Sequence, residues 1–262
     1  MDDRQPLIYT NKLDTTQNKG VFNRFILPCS AEFFGVCLFV FVGCMSVQTG
    51  QVVTIALAHG LTIALLINGL GDISGGHFNP AVTLGATIAG GTAPVVALLY
   101  FISQLLGGML GAAFTRAVLP TDVYGNISAG GHALPNDVGP GWGILCELIL
   151  TTVLVFTVLM NAIDNRTKNK LAPLAIGFAV AVDIMAGAKT SGASMNPARS
   201  FGPAVVGSSV TLAADLWEYH YVYWVGPALG GLVTGILYRL LFASSEQRWF
   251  GRGSERKIQH DI

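Results

Sequence analysis

Two apolar segments, Asn79 to Ala89 and Asn196 to Val206, are each eleven residues long, and the rest of the chain must accommodate that length. As helices they rise only ~16 Å, about half of the ~30 Å hydrocarbon core of a bilayer. A bilayer is the right reference, because 52% of the 262 residues are hydrophobic and 11% charged, against roughly 25% charged in an average soluble domain. Both segments open on Asn-Pro-Ala, at Asn79-Pro80-Ala81 and Asn196-Pro197-Ala198. Asn is a favoured cap, and Pro suits the first helical position, where its missing N–H costs nothing. Each tripeptide therefore reads as the start of a helix that cannot span. The two Asn residues lie 117 positions apart, close to half the chain.

The remaining apolar runs fall into a matching plan. Residues 1–24 form a polar tail. Spans are expected at about 25–47, 52–70 and 94–118, with the half helix 79–89 between the second and third. A Gly/Pro/Asp-containing loop, 119–140, follows. The second repeat, 141–242, places spans at about 142–162, 171–188 and 219–242, with the half helix 196–206 before the last. Residues 243–262 form a charged tail. Three spans per repeat is an odd number, so the second repeat must enter the membrane inverted. Inverted repeats with paired interrupted segments point to a pathway at the bilayer midplane.

Charge fixes the expected orientation. Arg4, Lys12, Lys19 and Arg24 precede the first span, and Arg166, Lys168 and Lys170 lie in the central turn. Arg239, Arg248, Arg252, Arg256 and Lys257 fall at the end of the last span and beyond it. Six crossings put all of these on one face, which the positive-inside rule makes cytoplasmic. Both termini are then cytoplasmic, and the loop 119–140, with its Asn126-Ile127-Ser128 glycosylation acceptor, is extracytoplasmic. The plasma membrane is the expected location, intracellular membranes the alternative. The polar first 20 residues do not resemble a removable signal peptide. Formal charge is zero, which implies no bulk electrostatic partner such as nucleic acid. Cys29, Cys37, Cys44 and Cys146 sit in apolar segments without metal-ligand or redox spacing and read as small hydrophobes.

Non-helical backbone at membrane depth requires protein or a water-filled cavity to satisfy its polar groups. Half helices entering from opposite faces bring Asn79 and Asn196 together at the centre, with two positive dipole ends facing whatever passes. Such a site accepts a small neutral hydrogen-bond acceptor, repels cations and can orient water against proton relay. A secondary transporter built on the same inverted plan is the alternative, but no cluster of carboxylates faces the tripeptides to serve a coupling ion. No nucleophile–base set or metal-ligand cluster appears in the spans, so neither an enzyme nor a cofactor is expected.

The stretches Ser74-Gly75-Gly76-His77-Phe78-Asn79-Pro80-Ala81-Val82 and Ser194-Met195-Asn196-Pro197-Ala198-Arg199-Ser200-Phe201-Gly202-Pro203-Ala204 closely resemble the two pore loops of the aquaporin (major intrinsic protein) family. The resemblance runs from about Cys29 to Phe242 and includes Glu32, Glu147, Gln104 and Tyr223-Trp224-Val225-Gly226-Pro227. It implies an all-α, right-handed bundle of six transmembrane helices plus two re-entrant half helices, assembled as a homotetramer. Ala58-His59-Gly60, Val182-Asp183-Ile184 and the short outer loops are most similar to the animal aquaporin-8 branch, related to plant tonoplast intrinsic proteins. The family's selectivity filter then falls on His59, Ile184, Ala193 and Arg199, and its passage on water, with ammonia and hydrogen peroxide implied by this branch. Strict water channels of the family carry Phe and His where His59 and Ile184 stand here. Ser200 after Arg199 departs from the Asp of the glycerol-conducting branch. No cysteine occupies the second pore loop, so mercury inhibition through it should be weak; Cys44 is a second candidate target.

The supporting residues leave alternatives open. Glu32 and Glu147 are intramembrane acids that serve either as a proton relay or as acceptors for re-entrant backbone. Asp183 either shapes the filter backbone or faces a neighbouring helix. His77 lines the cytoplasmic mouth or gates it with pH, and His132 either remains in the outer loop or folds over Arg199. The pairs Gly107/Gly111, Gly226/Gly230 and Gly231/Gly235 have the spacing that lets helices cross closely.

Overall fold

The computed structural model describes residues 20–208 and 215–250, which are helical wherever they are regular. The two tails at 1–19 and 251–262, with six of the counted cations, lie outside the described residues. A helical turn at Phe22–Ile26 leads into α1 (Leu27–Ser46), followed by α2 (Val52–Ser74), the short α3 (Pro80–Ile88) and α4 (Pro94–Val118). After the connecting α5 (Thr121–Asn126), the plan repeats as α6 (Pro140–Val158), α7 (Ala172–Gly187), the short α8 (Pro197–Gly207) and α9 (Val222–Leu237).

Including their tightened end turns, the helices at Phe22–Thr49, Val52–Ser74, Pro94–Val118, Pro140–Ile163 and Asp215–Phe242 are each long and apolar enough to cross a membrane. The sixth, α7, has only 16 residues and rises about 24 Å. Turns at 188–191 complete its path to the outer loop. The nine residues of α3 and eleven of α8 rise roughly 14 and 16 Å, so neither spans. Their outer partners carry a belt of exposed apolar side chains, among them Leu65, Val95, Leu98, Trp142 and Leu171. That belt faces hydrocarbon, where it costs nothing.

Packing obeys the internal repeat. The helix α1 lies on α4 as α6 lies on α9, α4 lies on α8 as α9 lies on α3, and α2 meets α7 across the repeat axis. Small residues make these crossings possible. A Cβ on Gly107 or Gly111 would come within 2.3 Å of the Phe33 or Cys37 carbonyl of α1, and one on Gly231 within 2.5 Å of the Ala81 carbonyl of α3. Gly107, Gly111, Gly230 and Gly231 thus lie against neighbouring backbone, and Gly226 and Gly235 against the Glu147 and Ile88 side chains, the close packing favoured where lipid offers no hydrophobic drive between helices.

The segment 119–140 is more than an outer excursion. Tyr124, Ala129 and Leu119 pack with Ala204 and Leu216 in a small apolar cluster, which draws Gly130 and His132 inward. At the opposite end, the central turn is pinned by Asp164. Its carboxylate accepts hydrogen bonds from the Arg166 backbone and guanidinium at 2.8–3.0 Å and from the Tyr238 hydroxyl at 3.0 Å. Burial alone would raise this carboxyl, but the Arg166 and Tyr238 donors outweigh it and hold it below the ordinary aspartate value.

A lowered folded value means that the stability from Asp164 is fully present above the ordinary aspartate pKa of about 3.9 and is lost as pH falls through the lower folded value. Asp164→Asn should lower the thermal stability of the purified protein by about 2 kcal/mol, the scale of a hydrogen bond to a charged group. It should also flatten the acid limb of its pH–stability curve. An unchanged acid limb in the variant would assign that limb to other groups.

Candidate functional site

Each re-entrant loop is built backwards from its half helix. Asn79 caps α3, its Oδ1 accepting from the Ala81 amide at 2.8 Å; Asn196 caps α8, its Oδ1 accepting from Ala198 and Arg199 at 3.0 and 3.3 Å. Preceding residues turn sharply, with Phe78 at φ 47° and Met195 at φ 54°, a left-handed conformation that bulky side chains adopt only under constraint. The constraint is a buried acid in each repeat. Glu32 accepts from the Ser74 hydroxyl (2.6 Å), the His77 and Phe78 amides (2.9 and 2.7 Å) and the Gln104 amide group (2.8 Å). Glu147 accepts from the Ser191 hydroxyl (2.7 Å) and the Ser194 and Met195 amides (2.8 and 2.6 Å). Tyr100 and Tyr223 complete the match by donating to the Ser74 and Ser191 carbonyls at 2.6 and 2.8 Å.

The two repeats then lock across the centre. Asn79 donates one amide N–H to the Met195 carbonyl at 2.8 Å, and Asn196 donates one to the Phe78 carbonyl at 2.9 Å. The sequence reading left both carboxamides free to serve a passing molecule. One N–H of each is instead used to tie the half helices together. A carboxamide has two, and both Asn side chains line an inner cavity of 30 Å³ with His77, Phe39, Ile63, Val180 and Met195. That is room enough for water to enter. His77 is buried there, its Nδ1 3.1 Å from the Thr83 hydroxyl and its ring edge-on to Tyr100.

On the other side of the Asn pair lies an outer cavity of 230 Å³, lined by His59, Ile184, Ala193 and Arg199 together with His132, Phe39 and Met195. All four expected filter positions meet here. The Arg199 guanidinium is held by the Gly130 carbonyl (Nη1, 2.8 Å) and by His59 (Nε to Nε2, 3.1 Å). His59 Nδ1 in turn faces the Ile55 carbonyl at 2.8 Å. Its Nδ1 must then carry the hydrogen and its Nε2 accept from Arg199, which leaves the ring no N–H for the lumen. Neither cavity lining includes a carboxylate, so Arg199 sets the sign of the local field.

His132 joins this wall. Ser194 donates to the Asn196 carbonyl, and its oxygen lies 2.6 Å from Ser200, whose own oxygen lies 2.9 Å from His132 Nδ1. Because each hydroxyl has one hydrogen, the order runs from His132 through Ser200 and Ser194 to Asn196. His132 Nε2 is left as an acceptor. Burial first, then the charge of Arg199 and the neighbouring His59 and His220, hold the His132 imidazole well below the usual histidine range, so it is neutral at physiological pH. The approach depends on Gly192, at φ 87°, where a Cβ would sit 3.0 Å from the His132 ring.

Several contributors escaped sequence reasoning. Gly43 on α1 leaves room for the His59–Arg199 pair, since a Cβ there would lie 2.4 Å from His59 Nε2 and 3.1 Å from Arg199 Nε. Gly130 acts through its carbonyl, which carries no side-chain signal. Phe39 and Met195, with Val180 and Ser194, line both cavities and so lie where the two adjoin. Only Ser74/Ser191 and Tyr100/Tyr223 had a legible signal, their matched places in the two repeats. Asp183 is buried beside Glu147 on the α6 side, away from both linings. Asn126 is exposed at the end of α5, and all four cysteines are free thiols.

Comparison with known proteins places this geometry in context. The description "Major intrinsic protein" matches residues 22–238. The chain is 43% identical over 247 residues to Aquaporin-8 of Rattus norvegicus, covering 91% of this chain and 90% of that protein. It is 36% identical over 229 residues to the Probable aquaporin TIP-type of Medicago truncatula, covering 82% and 86%. Among solved structures it resembles the aquaglyceroporin from Plasmodium falciparum, with TM-score 0.69 and 21% identity over 81% of this chain and 95% of that one. At that identity the likeness shows the fold.

Glu147→Ala leaves two buried amides without an acceptor, at roughly 1–3 kcal/mol each, and should lower the melting temperature of the solubilised protein sharply, with Glu147→Gln milder. A Glu147→Ala protein that melts with the parent would mean the loop is held by something else. Gly43→Ala should leave melting little changed while reducing water permeability, because the added methyl displaces His59 from Arg199. Unchanged permeability would detach Gly43 from the His59–Arg199 pair.

Proposed function

The chain belongs to the major intrinsic protein family, and from that membership we propose a passive channel for water that also passes ammonia and hydrogen peroxide while excluding protons and ions. The family consists of membrane channels rather than enzymes, so the question is what passes. The observation that carries the reading is the order of groups along one path: an outer cavity with a fixed Arg199, a pair of Asn residues capping two half helices, and a small inner cavity. Positive dipole ends and Arg199 oppose cations. The spare N–H of Asn79 and of Asn196 donate to the oxygen of a water at the centre, which then cannot accept a proton from a neighbour.

Selectivity is assigned to His59, Ile184, Ala193 and Arg199, with His132 as a fifth wall group and His77 at the inner mouth. Ile184 presents no hydrogen-bonding group, and the His59 ring spends both nitrogens on Ile55 and Arg199. The ring therefore offers apolar surface on two sides and donors only from Arg199. That composition favours small neutral solutes with a lone pair, the class that contains water, ammonia and peroxide. Glu32, Glu147 and Gln104 support the loops that carry the Asn pair. The distribution of Lys and Arg supports cytoplasmic termini and an extracytoplasmic Asn126 open to glycosylation, and the family resemblance supports a homotetramer in the plasma membrane.

A carrier on the same plan requires a coupling-ion site, and the carboxylate-free cavities argue against a cation-coupled one. Stopped-flow shrinkage of proteoliposomes separates the two readings. A channel gives a low activation energy and no saturation; saturable, ion-coupled flux would sink the proposal. His59→Ala should raise ammonia and peroxide flux relative to water, and Ile184→His should lower ammonia flux several-fold while keeping water flux. Equal ammonia-to-water ratios in parent and Ile184→His would remove Ile184 from the selectivity account. Mercurials should inhibit weakly, with residual block removed by Cys44→Ser; a block abolished by Ser194→Ala instead would overturn this.

A further inference from the structure

The membrane-facing side of α1 and α4 holds a groove of about 400 Å³ that the conduction path does not use. Its walls are Phe25, Ile26 and Phe33 from the first helix and Leu99, Ile102 and Leu106 from α4, with Cys29, Ser30 and Ser103 also lining it. Chemistry is stratified along its length. At the N-terminal mouth, the exposed Arg24 guanidinium lies 5.0 Å from the centre of the Phe25 ring, so its charge sits at the groove's edge. The same helix begins at this point with no side-chain cap and no acidic residue in its first turn, which adds the positive end of its dipole. Five residues further in, about 7.5 Å deeper along the helix, Cys29 brings its thiol to the groove wall, which Ser103 of α4 lines as well. Beyond that level Phe33 and Leu106 continue the groove without further polar lining.

Cationic mouth, hydroxyl and thiol one step inward, then hydrocarbon: we propose that this groove binds one anionic phospholipid, its phosphate at Arg24, its glycerol esters at Ser103 and Cys29, and an acyl chain along Phe33 and Leu106. A zwitterionic lipid fills the same apolar length but gains less at the mouth, where a choline or ethanolamine cation meets Arg24 and the helix end. A sterol matches the apolar length and could reach Ser103, but has no charge for Arg24. A fatty acid carries the charge but no esters.

The full chain, solubilised and titrated with phosphatidylglycerol or phosphatidylcholine, should retain phosphatidylglycerol preferentially in native mass spectra. Arg24→Gln should weaken that preference about fivefold, the effect of one cation facing an anionic headgroup. Ser103→Leu, which fills the groove, should reduce binding of both lipids. Water permeability of both variants reports that they are folded, since neither residue lines the path. In vesicles, Cys29 offers a second readout. Its alkylation by N-ethylmaleimide, followed by peptide mass spectrometry, should slow when phosphatidylglycerol is added to phosphatidylcholine, while that of Cys146 does not, and Arg24→Gln should abolish the difference. Equal retention of both lipids, equal slowing at Cys29 and Cys146, or protection of Cys29 by cholesterol or oleate alone would each overturn the proposal.

Discussion

A peptide group in hydrocarbon has no water to bond to, and the two loops at the centre of this protein expose a run of them. Six helices satisfy their own backbone. The segments before Asn79 and Asn196 cannot, because their residues turn too sharply to hydrogen-bond one another. Glu32 and Glu147 supply the missing acceptors, and the rest of the molecule depends on that supply. A carboxylate accepts several hydrogen bonds at once, so one side chain can organise amides that point in different directions. The left-handed turns at Phe78 and Met195 persist because each is held by an amide bonded to such an oxygen. The two Asn residues face each other only because those turns aim them inward.

From that constraint follows the division of labour along the path. The midplane is nearly symmetric, built twice from the same kit of Glu, Ser, Tyr and Asn and tied by reciprocal Asn-to-carbonyl bonds. Symmetry there suits a device that must act equally on molecules arriving from either side. The asymmetry lies in what each repeat adds. The first places His77 against Thr83, which also accepts from Gln104; the second places Arg199, Ser200 and, through the outer loop, Gly130 and His132. The two mouths therefore differ chemically although their scaffolds match.

How much of this was legible varied by residue in a physically sensible way. Spans, half helices and the inversion followed from length and hydropathy, because bilayer thickness converts residue count into geometry. Span ends moved by a few residues where a cap decided them, as at Ser74, where Gly75 in the left-handed region stops α2. Glu32 and Glu147 were visible as acids in apolar runs, but their partners were not, since backbone amides carry no sequence label. His59, Ile184, Ala193 and Arg199 could be placed only through the family resemblance, and their common lining of one cavity was a matter for the fold. Gly43, Gly130, Phe39 and Met195 were silent because each acts by what it leaves empty, by its carbonyl, or by where its side chain happens to adjoin two spaces.

Sequence alone determined the medium, the number of crossings, the inverted plan and the identity of the two helix caps, since these depend on local composition and on a fixed rise per residue. Tertiary structure decided that one N–H of each Asn is used across the centre, that His59 spends its nitrogens on Arg199 and Ile55, and that His132 lines the same cavity as Arg199. It also decided that α1 and α4 leave an apolar groove beneath Arg24. Apart from the His59–Ile55 bond within α2, these outcomes turn on pairings between groups 40 or more residues apart or on space left between helices, and such pairings are chosen by packing rather than by any residue's own preference.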